Sequence, residues 1–148
     1  MVSLLDIFTS LLNRFKTKYA NYGYYLLSLP ERNKTPCFLF ELVYNGTSTD
    51  NKYLVSKKYD IQIIYFNTFN NYAEQDELKK LQVMSELDDI LSCCNLNVKD
   101  RNIKYSYYFG DANGNLTINL DFQFKDKTVI DDDITYEKIQ EINLEINS

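Results

Sequence analysis

Three aspartates stand together at Asp131-Asp132-Asp133, and carboxylates in that number are the usual ligands of a hard divalent cation. Consecutive side chains do not converge on one point in a helix or a strand, because successive residues point about 100° apart in the one and to opposite faces in the other. The triad therefore reads as a solvated acidic turn, with Asp133 able to cap a following helix. Asp111-x-Asn113-Gly114 resembles the opening of a calcium loop but lacks the length and the closing glutamate, so it reads as a turn. The chain has no histidine, which removes Ser-His-Asp and Cys-His catalysis and histidine-ligated zinc. Its three cysteines, Cys37, Cys93 and Cys94, form no C-x-x-C pair and read as reduced thiols. Glu31 and Arg32 lie in the loop LPERNKTP with no base, glycine-rich loop or metal cluster beside them. Phosphate-loop, dinucleotide and nucleophile-elbow patterns are absent. No catalytic, cofactor or metal residue is expected.

The elements around these residues are easier to read. Residues 3–20 repeat apolar side chains at helical spacing (Leu4, Leu5, Phe8, Leu11, Leu12, Phe15, Tyr19), with Ser3 and Asp6 forming a capping box. Tyr24–Leu29 and Cys37–Tyr44 read as strands of a hairpin joined by the Pro30–Pro36 loop, the second ending at Asn45-Gly46. Lys52–Phe66 alternates, with Tyr59, Ile61, Ile63 and Tyr65 on one face. Glu74–Cys94 reads as a second helix with a stripe of Leu78, Leu81, Met84, Leu87, Ile90 and Leu91. Asn97–Gly110 and Asn115–Lys125 read as strands around Asn113-Gly114, a strong hairpin signal. The expected fold is α+β: a mainly antiparallel sheet of about five to six strands with two helices packed on it. Residues 1–130 are expected as one domain and 131–148 as an acidic C-terminal tail or arm.

Charge is distributed unevenly. Residues 131–148 carry six acids and one base, a net of −5, while residues 1–130 balance. Residues 14–58 hold eight bases against three acids. The basic side chains alternate with tyrosines, yet a sequence pI near 4.7 argues against a nucleic-acid footprint. No apolar run reaches membrane-spanning length, and no leader pattern precedes the first helix.

In the order and texture of its segments the chain resembles the small tail terminator (tail-completion) proteins of phages and of phage-tail-like bacteriocins of Gram-positive bacteria. The carrying segments are the leading helix 3–20, "LPERNKTPCFLFEL", "KKYDIQIIYF", "EQDELKKLQVMSELDDILSC" and "GNLTINLDFQF", which together cover about residues 1–126. The resemblance implies a structural, non-enzymatic protein. It would form a homohexameric ring on the head-proximal end of the tail tube, with the tube protein and, in contractile tails, the sheath protein as partners. It would assemble in the bacterial host cytoplasm and take no cofactor, membrane or specific nucleic acid. The alternatives are a neck or head-completion joining protein, a small cytosolic enzyme and a nucleic-acid-binding module. A ring needs two different surfaces that meet. The expected pair is a basic face with Arg14, Lys16, Lys18, Arg32, Lys34, Lys57 and Lys58, against a neighbour's tail with Asp131, Asp132 and Asp133 and the apolar anchors Ile139, Ile142 and Ile146. The proline-bounded loop is also expected to project Arg32 and Lys34 toward the tube or sheath.

Overall fold

The computed structural model describes residues 2–67 and 77–127. Helix α1 (Leu4–Lys18) starts as its sequence requires. The Ser3 hydroxyl accepts from the Asp6 N–H at 3.1 Å, and the Asp6 carboxylate accepts from the Ser3 N–H at 2.8 Å. The two bonds satisfy amide donors that every helix start leaves unpaired. The helix buries Ile7, Phe8, Leu11 and Phe15, each contributing about 1.5–3 kcal/mol of apolar burial. Leu5 stays exposed, and Ile7 takes the buried place expected of it.

The remaining elements are β1 (Gly23–Leu26), β2 (Cys37–Thr49), β3 (Leu54–Phe66), α2 (Glu77–Leu91), β4 (Asn95–Val98), β5 (Arg101–Ala112) and β6 (Asn115–Lys127). The strands form one six-stranded sheet in the order β1-β2-β3-β6-β5-β4. The architecture is α+β, as expected. Every strand pair but one is antiparallel.

That one pair is a correction. β1 runs parallel to β2, so the Pro30–Pro36 loop is not a hairpin connection. A four-residue strand is only about 13 Å long, and the ten residues 27–36 can span about 33 Å, so the chain has room to return and restart. The returning loop folds back against β1 and the start of β2: the Lys34 N–H donates to the Tyr25 hydroxyl at 2.8 Å, and Asn33 Nδ2 reaches Cys37 Sγ at 3.8 Å.

Three further boundaries differ. Asn45-Gly46 lies inside β2, not at its end. A register shift lies between Leu42 and Tyr44, and the Tyr44 ring covers Gly46, where any Cβ would meet the Tyr44 hydroxyl. The segment 97–110 is split into β4 and β5 by a turn at Lys99, whose φ is 54°. In α2, Val83, Leu87 and Leu91 are buried while Leu78 and Leu81 are 76% and 55% exposed, so the buried stripe sits lower on the helix than its leucines suggest. The turn at Asn113-Gly114 forms as read, with φ of 54° and 84° and Ala112 paired to Asn115.

Register explains the core. Phe38 pairs with Tyr65 and Tyr65 with Leu116; Ile63 pairs with Ile118, Ile61 with Leu120, and Tyr59 with Phe122. These side chains share one sheet face and meet both helices in one cluster. The Phe15 ring packs edge-on against Phe38 at 5.1 Å and Phe40 at 5.5 Å. On the other face alternation places Lys58, Asp60, Gln62, Asn119, Asp121 and Gln123, and no described helix contributes to it.

Candidate functional site

The basic residues that the sequence groups together are separated by the fold. Two are used inside the molecule. Lys57 is 7% exposed; its ammonium lies 3.7 Å from Asp126 and donates to the Val2 carbonyl at 3.2 Å. Lys57 therefore does not join a basic face. Asp126, which sequence reasoning missed, is the centre of this cluster. It is 5% exposed, accepts from the Val2 N–H at 2.8 Å and the Lys127 N–H at 2.9 Å, and pairs with Arg101 at 3.0 Å. Burial opposes its charged form, but the two amides and the Arg101 and Lys57 cations outweigh burial and hold the carboxyl below its ordinary range. Arg14 is half-buried and stitches α1 to the end of α2 and to β5, donating to the Tyr105 hydroxyl at 3.2 Å and to Cys93 Sγ at 3.6 Å. Its guanidinium, after the Asn95 backbone and the Tyr105 hydroxyl, helps hold the Cys93 thiol below its usual range.

Lys58 lies on the outer sheet face with its ammonium 5.7 Å from the Tyr44 ring, beside a shallow groove of about 440 Å³. One strand step away, Asp60 and Asp121 stand directly opposite each other. Burial first, and then the neighbouring Asp121 carboxylate, push Asp60 upward. Asp121 Oδ1 is buried without a hydrogen-bond partner.

Three of the other four bases gather around β1. The Lys16 ammonium sits 5.5 Å over the Tyr24 ring. Lys18, in the last turn of α1, instead faces α2, in a groove with Ile90 and Cys93 and close enough to Glu86 to favour its charged form. Lys34 is bonded through its N–H to Tyr25, and exposed Arg32 lies two residues earlier in the same loop. Tyr24 and Tyr25 are adjacent in β1 and point to opposite sheet faces, so Lys16 and the Arg32–Lys34 loop lie on opposite sides of this strand. Among the described strands β1 also lies at the edge of the sheet. The Gly23 and Leu27 N–H groups donate to Pro36 and Phe40 of the neighbouring segment at 3.1 and 2.8 Å. Alternation therefore turns the Tyr24 and Leu26 amides to the free side. Leu26 and Leu27 are exposed beside it, at 40% and 63%.

The acidic and apolar tail residues, Asp131 to Asp133, Ile139, Ile142 and Ile146, lie outside the described residues. Among the described residues no group of three or more acids, cysteines or histidines comes together to hold a metal, and no helix is long and apolar enough to cross a membrane. Asp111 is spent on its turn, accepting from the Gly114 N–H at 3.2 Å and pairing with Lys80 at 3.1 Å, which ties the turn to α2. What the described surface offers is a place for another chain to bind: a basic, free sheet edge. A family model described as "Phage tail terminator protein" matches residues 6–136. No curated protein matches the chain.

Proposed function

The chain belongs to the phage tail terminator family, and from that premise we propose that it forms a six-membered ring on the head-proximal end of the tail tube. The ring stops tube growth there and, in a contractile tail, holds the last sheath layer. The family is a structural one, and the chain is a structural protein of a phage tail. Its finer setting, a phage virion or a phage-tail-like bacteriocin assembled in the bacterial cytoplasm, belongs to the same proposal. The observation that carries the reading is the extent of the match, which runs from the first turn of α1 through β6. The exposed β1 edge supports it, because a closed ring needs a heterologous contact between two unlike surfaces.

Native mass spectrometry of the purified chain, alone and mixed with its tail tube protein, tests the reading. A hexamer, free or formed only on tube ends, is expected. A monomer that ignores the tube overturns the reading, and binding to a portal complex in place of the tube would make the chain a neck protein.

A further inference from the structure

We propose that the free edge of β1, with the cations around it, is the seat of the acidic C-terminal segment of the next copy in the ring. This inference rests on the ring reading and adds to it which surfaces meet. The edge supplies three things at once. The outward amides of Tyr24 and Leu26 give main-chain hydrogen bonds to an added strand. Leu26 and Leu27 give exposed apolar surface. Lys16 over Tyr24 and the loop that carries Arg32 and Lys34 give positive charge beside it. Among the described residues no ion pair occupies Arg32 or Lys34.

The occupant is identified by charge, by pattern and by reach. Residues 128–148 carry the six acids and the single base of the C-terminal end. Within them Ile142-Asn143-Leu144-Glu145-Ile146 alternates apolar and polar residues, the pattern of a strand with one face on apolar surface. Reach bears on the aspartate triad, and decides whether a triad that meets the edge is the chain's own or a neighbour's. Register sets Tyr24 beside Phe38, Phe38 beside Tyr65, and Tyr65 beside Leu116, three strand spacings or about 14 Å. From Leu116 to Lys127 the chain advances about 36 Å along β6. The described chain thus leaves the sheet roughly 35–40 Å from the β1 edge. Asp133, six residues past Lys127, extends at most about 22 Å from it. The aspartate triad therefore cannot meet the basic edge of its own chain and can meet that of a neighbour. Unlike patches at opposite ends of one subunit join head to tail, which is the contact that closes a ring.

The test places the photoreactive residue p-benzoylphenylalanine at Leu26 in a light chain. This chain is mixed with isotopically heavy wild-type chain, and rings are assembled with tail tube protein and irradiated. The expected product joins the light residue-26 peptide to a heavy peptide from 131–148. Adducts confined to light tail peptides, adducts to the tube protein, or rings with no tail adduct each overturn the seat while leaving the ring standing. Absence of any ring overturns both. In parallel, Arg32→Glu with Lys34→Glu, both exposed loop changes, should raise the concentration at which half the rings dissociate about tenfold at low salt and much less at high salt. Lys58→Glu on the outer face should leave it unchanged. Equal effects of the two changes would also overturn the proposal.

Discussion

Replacing Asp126 with alanine tests how the fold is locked. The carboxylate is 5% exposed and receives two backbone amides, Arg101 at 3.0 Å and Lys57 at 3.7 Å. Lys57, itself 7% exposed, would be left with the Val2 carbonyl and no counter-charge from Asp126. Breaking a buried pair from one side costs about 3–5 kcal/mol, because the surviving charge stays desolvated. For a chain of this length that is a fall in Tm of roughly 8–15 °C. Urea unfolding followed by far-ultraviolet circular dichroism reads the loss. The double variant Asp126→Leu with Lys57→Met removes the stranded ammonium and should recover part of it, the rest remaining as the cost of the Val2 and Lys127 amides left unpaired. The pH response gives a second check. The folded Asp126 carboxyl titrates below the ordinary range of an aspartate, so its contribution is complete above that range and is lost as pH falls through the lower folded value. Asp126→Ala should flatten this acid limb. A loss under about 1 kcal/mol, or a double variant no better than the single one, would refute the reasoning.

Two predictions concern single positions. Asp60→Asn should stabilise the isolated chain at neutral pH by about 0.5 kcal/mol, since it removes one of two like charges directly opposite on β3 and β6. Because the Asp60 carboxyl titrates above the ordinary range of an aspartate, wild-type stability should fall as pH rises through that region on its account. Denaturation midpoints from pH 4 to 7 check both, and an Asn variant less stable than wild type would show that Asp60 makes a favourable contact. Gly114→Ala should cost about 1–2 kcal/mol, because φ of 84° is strained for a residue with a Cβ; an unchanged midpoint in the same assay would mean that the turn relaxes.

Local signals were legible and distant partners were not. The Ser3–Asp6 box and the Asn113-Gly114 turn depend on residues within four positions, and both formed as read. The strand at 37–49 was cut short because Asn45-Gly46 carries a turn signature. The glycine instead serves as the floor for Tyr44 across a register shift, which depends on pairing with β3. Leucine spacing in α2 misjudged the buried face because Leu78 and Leu81 meet no covering element among the described ones. Lys57 and Lys58 are neighbours in sequence and opposites in role, one ion-paired in the interior and one on the outer face. No single-sequence pattern pairs Lys57 with an aspartate 69 positions away. Counting charge along the chain therefore suggested one basic face. The fold instead kept three of those bases, Lys16, Arg32 and Lys34, at the β1 edge and sent the others elsewhere.

The sheet order β3-β6-β5 also matters during synthesis. β6 is the last described strand in the chain, yet it lies between two strands made before it. β3 is complete at Phe66 and β6 begins at Asn115. At ribosomal rates of about 5–20 residues per second, β3 waits several seconds for its partner. During that interval the nascent chain holds two half-sheets, β1-β2-β3 and β4-β5, each with an edge that the finished sheet closes. A message interrupted before β6 would therefore release a chain with open, apolar strand edges, prone to associate with its own kind, and would not leave a smaller stable domain.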